Sequence, residues 1–416
     1  MDASLLIKAQ NAKNASKQLV KFTSEQKNHT LLCIAEILDS SRVLIKEQNR
    51  LDLENAHKKG MTDALIDRLT LNDKRIDGMI QVLHDVISLK DPVGQVIGMN
   101  TMPNGLKIGQ MRMPLGVAGI IFESRPNVCI EVAALTIKSA NGVILKGGSD
   151  AIHSNHCITG LIKQGLKKAG LPEGAVEIIE STDRESVKEL LKLKQYIDVI
   201  IPRGGLNLIR FVEENSVIPV IRHDEGICHT YIDEFAQSEM AVSIAYNAKV
   251  QRPGVCNAME TLLVHEKIAP IVLPLLKTQY DKAGVKLKGC DKTRTLLPDI
   301  EKATEQDWTT EYLDLILSIR IVKNLDEAIN HINTYGSHHS DAIVTENYSH
   351  GMQFLHEVDS AACYINASTR FTDGNEFGLG AEMGISNQKL HVRGPMGLTE
   401  LTSPKYIVFG NGQIRQ

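Results

Sequence analysis

Seven cysteines are scattered through the chain, at positions 33, 129, 157, 228, 256, 290 and 363, and one has the surroundings of a nucleophile. Cys256 lies in Asn247-Ala248-Lys249-Val250-Gln251-Arg252-Pro253-Gly254-Val255-Cys256-Asn257, a turn-rich run between a helical segment and the strand-like METLLVH. A thiol attacks a carbonyl carbon as its thiolate, and neighbouring cations such as Lys249 and Arg252 stabilise that charge. The competing reading is an inert core thiol, the ordinary fate of an unpaired cysteine. Local sequence leaves both open.

Two glycine pairs sit where a phosphate could bind. Lys146-Gly147-Gly148 ends one apolar run, with Ser149 placed to cap the next helix, and Arg203-Gly204-Gly205 ends another. Glycine lets backbone N–H groups approach a pyrophosphate, and a helix N-terminus adds partial positive charge. The same spacing also serves ordinary strand-to-helix turns. A third candidate, Asn366-Ala367-Ser368-Thr369-Arg370-Phe371-Thr372-Asp373-Gly374, offers many donors after a strand, for an anionic substrate or for water. His338-His339 is better read as a polar loop than as a metal site, because adjacent residues of a strand face opposite ways. Phosphate-loop, serine-elbow and zinc-helix signatures are missing.

The elements that must carry these groups follow from periodicity. Residues 1–90 read as helical; Ile76, Met79, Ile80, Leu83, Val86 and Ile87 form one apolar stripe. Asn104-Gly105 reads as a tight hairpin turn with positive φ at both positions, in an arm that packs on another subunit. Strands are expected at 116–122, 142–147, 175–180, 197–202 and 217–222, with helices over 127–140 and 149–169 between them. A second series falls at 227–233, 259–265, 314–322, 341–346 and 362–367. Apolar strands alternating with helices imply parallel sheets covered on both faces. The tail KYIVFGNGQ supplies one more strand, which could pair with the hairpin.

Composition narrows the class. With 46 basic and 50 acidic residues the formal charge is −4, which argues against a general nucleic-acid surface. Apolar residues at 43% are enough for full cores, no run is long enough to span a bilayer, and the start lacks a signal-peptide pattern. An odd number of scattered cysteines, without zinc spacing, points to a reducing cytoplasm and no structural metal.

Six stretches, in order over nearly the whole chain, carry a family resemblance: MPLGVAGIIFESRPNV (113–128), VILKGGSDA (143–151), IPRGG (201–205), AKVQRPGVCNAMETLLVH (248–265), VKNLDEAINHINTYGSHHSDAI (322–343) and INASTRFTDGNEFGLGAEMGIS (365–386). Together they resemble the gamma-glutamyl phosphate reductase family of the aldehyde dehydrogenase superfamily. The resemblance implies a Rossmann-like NADP-binding domain (1–95 and 114–226), an α/β catalytic domain (227–372), and a β-hairpin oligomerisation arm with C-terminal segment (96–113 and 373–416). It implies NADPH-dependent reduction of L-glutamate 5-phosphate to L-glutamate 5-semialdehyde and phosphate, the second step of proline biosynthesis from glutamate, through a thioester on Cys256 and without a metal.

The same resemblance sets Lys146 at the adenosine ribose and its 2′-phosphate, with Gly147, Gly148, Arg203, Gly204 and Gly205 in the cofactor set. Glu311 falls at the nicotinamide ribose. Ser124 stands where relatives place an oxyanion-hole asparagine, which leaves the Cys256 N–H as the other donor. Arg125, Asn127, Arg252, Asn366, Thr369 and Arg370 complete the substrate and oxyanion set. No residue of 221–228 aligns cleanly with the base that oxidising relatives use to hydrolyse a thioester; Glu225 takes that place if the alignment slips by two. Expected partners are a second copy of the chain and glutamate 5-kinase, with neither nucleic acid nor membrane. The rivals are an NAD-dependent semialdehyde oxidase, and a non-catalytic scaffold that kept the fold.

Overall fold

The apolar runs between helical segments become parallel strands, as sheets buried on both faces require. In the computed structural model the described residues are 3–181, 183–222 and 225–415, with the side chains of residues 64 and 184 outside that description. They fall into two compact units: Met1–Arg222 with Gly378–Gly384 and Met396–Gln416, and His223–Phe377 with Ile385–Pro395. No described helix is long and apolar enough to cross a membrane.

The first unit holds a four-stranded parallel sheet in the order Val176–Ile178, Gly142–Gly147, Val117–Phe122, Val199–Arg203. Every residue of Val117–Phe122 is buried. The strand expected at 217–222 is reduced to one bridge, between Ile200 and Val220. Its ladder would next need a donor at Pro202, which has no N–H. Helices Val128–Lys138, Ile152–Lys168 and Arg184–Leu190 connect the strands, Leu206–Asn215 follows the last of them, and five more occupy Ala3–Ser88. In the last of these, Asp73–Ser88, the expected stripe buries Ile76, Met79, Leu83 and Val86.

The hairpin forms, but with a different turn. Val96–Thr101 and Lys107–Pro114 pair antiparallel, and Thr402–Phe409 adds to the other side of Lys107–Pro114. Gly105 takes φ +85° while Asn104 keeps a negative φ. The Gly105 N–H donates to Met102 O at 2.8 Å and the Met102 N–H to Leu106 O at 2.7 Å. Pro103, the first central residue, fixes φ near −65° and so selects an ordinary turn followed by one left-handed glycine.

The second unit holds seven parallel strands in the order Glu301–Lys302, Lys286–Gly289, Ile316–Val322, Met259–His265, Cys228–Ile232, Ser340–Val344, Ala362–Ile365. Met259–His265 is buried along its whole length. The first two strands escaped the sequence reading: KLKG buries only Leu287 and Gly289, and EK is exposed. Helices Ser238–Val250, Ala269–Lys282, Leu325–Tyr335 and Tyr348–Glu357 flank this sheet.

Candidate active site

Cys256 sits in the loop that joins the helix Ser238–Val250 to the strand Met259–His265, at the amino ends of the second unit's strands. It is half-buried, and no cysteine is in a disulfide. The loop is held from several sides. A Cβ at position 226 would lie 2.0 Å from the Cys256 carbonyl oxygen, so only glycine allows this approach. The Cys228 thiol donates to that same oxygen at 3.1 Å. The Asn257 amide donates to Thr372 O at 2.8 Å and Arg370 O at 3.4 Å, and the Thr369 hydroxyl donates back to Asn257 O at 2.7 Å. Thr369 thus holds the residue after Cys256.

The two neighbouring thiols differ in surroundings. Burial pushes Cys228 well above the usual thiol range, with Asp341 adding like charge. It remains a neutral donor. Cys256 instead shares its surroundings with two guanidiniums. Arg370 is half-buried, donates from Nε to Gln251 Oε1 at 2.9 Å, and is held below the usual arginine value by burial and by Arg252, with Cys256 acting in the opposite direction. Lys249 does not join them as expected. Its ammonium lies 2.6 Å from Glu260 Oε2, both side chains fully buried, so its charge is matched within the fold.

Glu311 stands on the same edge, where its Oε1 accepts the Gly226 N–H at 2.9 Å. Burial raises its carboxyl, the Gly226 N–H lowers it, and the negative charge of Glu225 raises it further. His223 and Asp224, within the stretch compared with the hydrolytic base, lie outside the described residues; Glu225 is half-buried.

Asn366 is a correction. Its Oδ1 accepts the Thr345 N–H and its Nδ2 donates to Thr345 O, both at 2.9 Å, beyond the carboxyl ends of the strands. Cys256 lies at the opposite, amino ends beside Gly226, and each strand residue between advances about 3.3 Å. Asn366 therefore secures a strand end and presents nothing to the thiol. The polar-loop reading of His338-His339 holds for only one of the two. His338, half-buried, meets Asp359 O at 2.6 Å, whereas His339 is fully buried, with Nδ1 2.8 Å from Ser340 Oγ. Ser340 continues to Thr372 at 2.7 Å, and Thr372 to Tyr364 at 2.6 Å.

The first unit gathers the other candidates at the carboxyl edge of its sheet. Phe122 pairs with both Gly147 and Arg203, so the two glycine turns flank the end of the central strand. Lys146 is buried, and its only hydrogen bond among the described residues is to Gly147 O at 3.3 Å; no described carboxylate pairs with it. Burial lowers its ammonium from the ordinary lysine value, with Asp183 opposing. Ser149 does not cap the following helix. The buried Asp52 carboxylate accepts the N–H groups of His153 (3.1 Å) and Ser154 (2.8 Å) and the Ser154 hydroxyl (2.7 Å). At the other turn Gly205 caps Leu206–Asn215 without any side chain, and its N–H donates to Glu123 Oε2 at 3.0 Å. A buried ammonium without a described carboxylate partner on one side of the central strand, and a helix start without a side-chain cap on the other, fit a phosphorylated dinucleotide.

Ser124 is buried at φ +32°, and its hydroxyl donates to Asp150 Oδ2 at 3.3 Å. Arg125 is exposed, and the Asn127 amide donates to Glu131 Oε1 at 2.7 Å. Sequence reasoning passed over Asp52, Cys228, Glu260 and the carboxylate of Glu123. Only Glu123 had a readable signal, its place beside the E-S-R-P-N serine. The other three act through partners remote in sequence or across a loop.

Comparison with known proteins places the chain in a family. The model of the aldehyde dehydrogenase family matches residues 4–306. The chain is 55% identical over 415 residues to a gamma-glutamyl phosphate reductase of Persephonella marina, covering 98% of this chain and 93% of that one. It is 57% identical to one from a Sulfurihydrogenibium species, with the same coverage. The crystal structure of gamma-glutamyl phosphate reductase from Thermotoga maritima superposes with a TM-score of 0.97 at 51% identity, over 99% of this chain and 100% of that one. An acetylating aldehyde dehydrogenase of Geobacillus thermoglucosidasius shares the fold, with a TM-score of 0.71 at 17% identity, over 99% of this chain and 98% of that one. The chain belongs to the aldehyde dehydrogenase family and, within it, to the gamma-glutamyl phosphate reductases.

Proposed function

We propose that the protein reduces L-glutamate 5-phosphate to L-glutamate 5-semialdehyde and phosphate with NADPH, through a thioester on Cys256. The observation that supports this best is the half-buried Cys256 within electrostatic reach of Arg370, which in turn feels Arg252. Two guanidiniums favour the thiolate and suit the phosphate of an acyl phosphate.

The Cys256 sulfur bonds to the acyl carbon while the carbon–oxygen bond to phosphate breaks, and phosphate leaves with that electron pair. No strong acid is needed, because an acyl phosphate is already activated. Bound NADPH supplies a hydride. The thioester carbon accepts it, the resulting alkoxide collapses, and the carbon–sulfur bond breaks to release aldehyde and restore the thiolate. Both tetrahedral stages carry an oxyanion, for which the Cys256 backbone N–H is the proposed donor. Lys146 and the Arg203-Gly204-Gly205 turn are proposed to hold the cofactor's phosphates, Glu311 its nicotinamide ribose, and Arg125 a further substrate anion.

Replacing Cys256 with alanine should abolish turnover while sparing NADPH binding. Semialdehyde oxidation should reduce NADP only when phosphate is present. Full activity in Cys256→Ala, or phosphate-independent oxidation with NAD, would overturn the reading in favour of a scaffold or a semialdehyde oxidase. The exposed apolar residues of the antiparallel sheet (Val96, Ile97, Met99, Tyr406, Val408 and Phe409) support the further proposal of a homo-oligomer, which light scattering tests.

A further inference from the structure

The loop that carries Cys256 is closed at its base by charge held out of water. Lys249 is the last residue but one of the preceding helix and Glu260 the second of the following strand, with Nζ and Oε2 2.6 Å apart and neither side chain exposed. Residues 251–258, including Arg252 and Cys256, run between them. The other oxygen, Glu260 Oε1, accepts the N–H of Leu313 at 3.2 Å. Leu313 takes φ +53°, a conformation that costs a leucine energy, two positions after Glu311. The Lys249 ammonium is also 6.0 Å from the centre of the Tyr312 ring. A Cβ on Gly254 would touch Leu313 O at 3.6 Å, so the loop meets the Glu311 segment at this point too. One carboxylate thus joins both ends of the nucleophile loop to the segment bearing Glu311.

Stability alone does not call for charge at this place. An apolar pair of similar volume usually serves a core as well as a buried ion pair or better, because both ions must leave water. Burial accordingly lowers Lys249 and raises Glu260, and their mutual attraction offsets part of that cost. What an apolar pair cannot do is hold the Leu313 N–H while keeping a fixed, directional link across the loop.

We propose that Lys249 and Glu260 are positioning residues for the reaction, setting the place of the Cys256 loop relative to the Glu311 segment. The inference rests on the reductase reading above. The pair touches neither substrate nor cofactor; it acts through Cys256 and Glu311.

The test uses the full-length enzyme in two forms. Lys249→Met/Glu260→Leu removes both charges together, and Glu260→Asp keeps the charge but shortens the reach to Leu313. Melting temperature, kcat, KM for NADPH and the rate of Cys256 alkylation by iodoacetamide are measured for each. We expect melting temperatures within about 5 °C of wild type. We also expect kcat to fall about tenfold or more, since small misplacements of reacting groups carry large rate penalties. The NADPH KM should rise, and the alkylation rate should change at least about threefold. A folded variant with wild-type kcat, KM and alkylation rate overturns the proposal. So does failure of both variants to fold, which would make the pair a requirement of the fold. Wild-type turnover of glutamyl phosphate is the separate control: its absence defeats the reductase reading, while the alkylation rate still decides the role of the pair.

Discussion

The two glycine turns of the first unit are alike in sequence and unlike in chemistry. Each follows a buried parallel strand, each has a cation just before the glycines, and each leads into a helix beside Phe122. At Lys146-Gly147-Gly148 the helix start is already filled by the Asp52 carboxylate, with three hydrogen bonds. Gly147 is needed because a Cβ there would lie 2.2 Å from Asn155 Nδ2. That turn offers a buried cation and no open helix end. At Arg203-Gly204-Gly205 the helix start has no side-chain cap, and nothing lies within 4 Å of a Cβ on Gly205. This turn offers backbone donors. A glycine pair therefore marks close approach, and what approaches, a neighbouring side chain or a ligand, is decided by the packing around it.

The sharpest way to break the comparison is to remove the internal anion. Asp52→Ala leaves buried donors unpaired and should cost about 3 kcal/mol, lowering the melting temperature by about 8 °C. The KM for NADPH should stay at the wild-type value; a large rise would mean that the first helix start does bind phosphate. Next in size, Lys146→Met should raise the KM for NADPH about 30-fold, or about 2 kcal/mol, with little change for NADH. Because burial depresses the Lys146 ammonium, its charge is lost as pH rises through that lowered value. The preference for NADPH over NADH should accordingly decline at a lower pH than a surface lysine would give.

The glycines themselves should separate the two roles. Gly147→Ala should destabilise by about 2 kcal/mol through Asn155, with NADPH binding intact. Gly205→Ala, at φ −71° and ψ 166°, suits alanine and should fold normally. It should raise the KM for NADPH about tenfold by blocking backbone approach. The smallest effect is expected at Glu123, whose carboxylate occupies the Gly205 N–H. Glu123→Gln removes a negative charge from the receptive turn and should tighten NADPH binding about threefold. Unchanged titration by cofactor fluorescence would place the pyrophosphate elsewhere.

Much of the candidate site was legible because its signals are local. The Cys256 loop reads as a contiguous run of turn residues and cations, and the parallel strands read as uninterrupted apolar runs. The errors fall where a partner lies far away in sequence or beyond a turn. Ser149 has the right type and position for a cap, but Asp52, about a hundred positions earlier, takes the donors. Lys249 is as near to Cys256 in sequence as an activating cation would be, but Glu260 neutralises it from the next strand. Asn366 and Thr369 are three residues apart in one polar segment. Asn366 ties down Thr345 beyond the carboxyl ends, while Thr369 reaches Asn257 beside Cys256.

Chain order and residue type were enough to specify the parallel α/β plan and to single out Cys256 and the two glycine turns as candidates. Those properties come from backbone periodicity and side-chain chemistry within a few residues. Tertiary structure alone decided which donor is already engaged, which cation is paired within the fold and which thiol is fully buried. Each of these depends on burial and on a partner delivered by a different strand or helix, and no local stretch of sequence contains that partner.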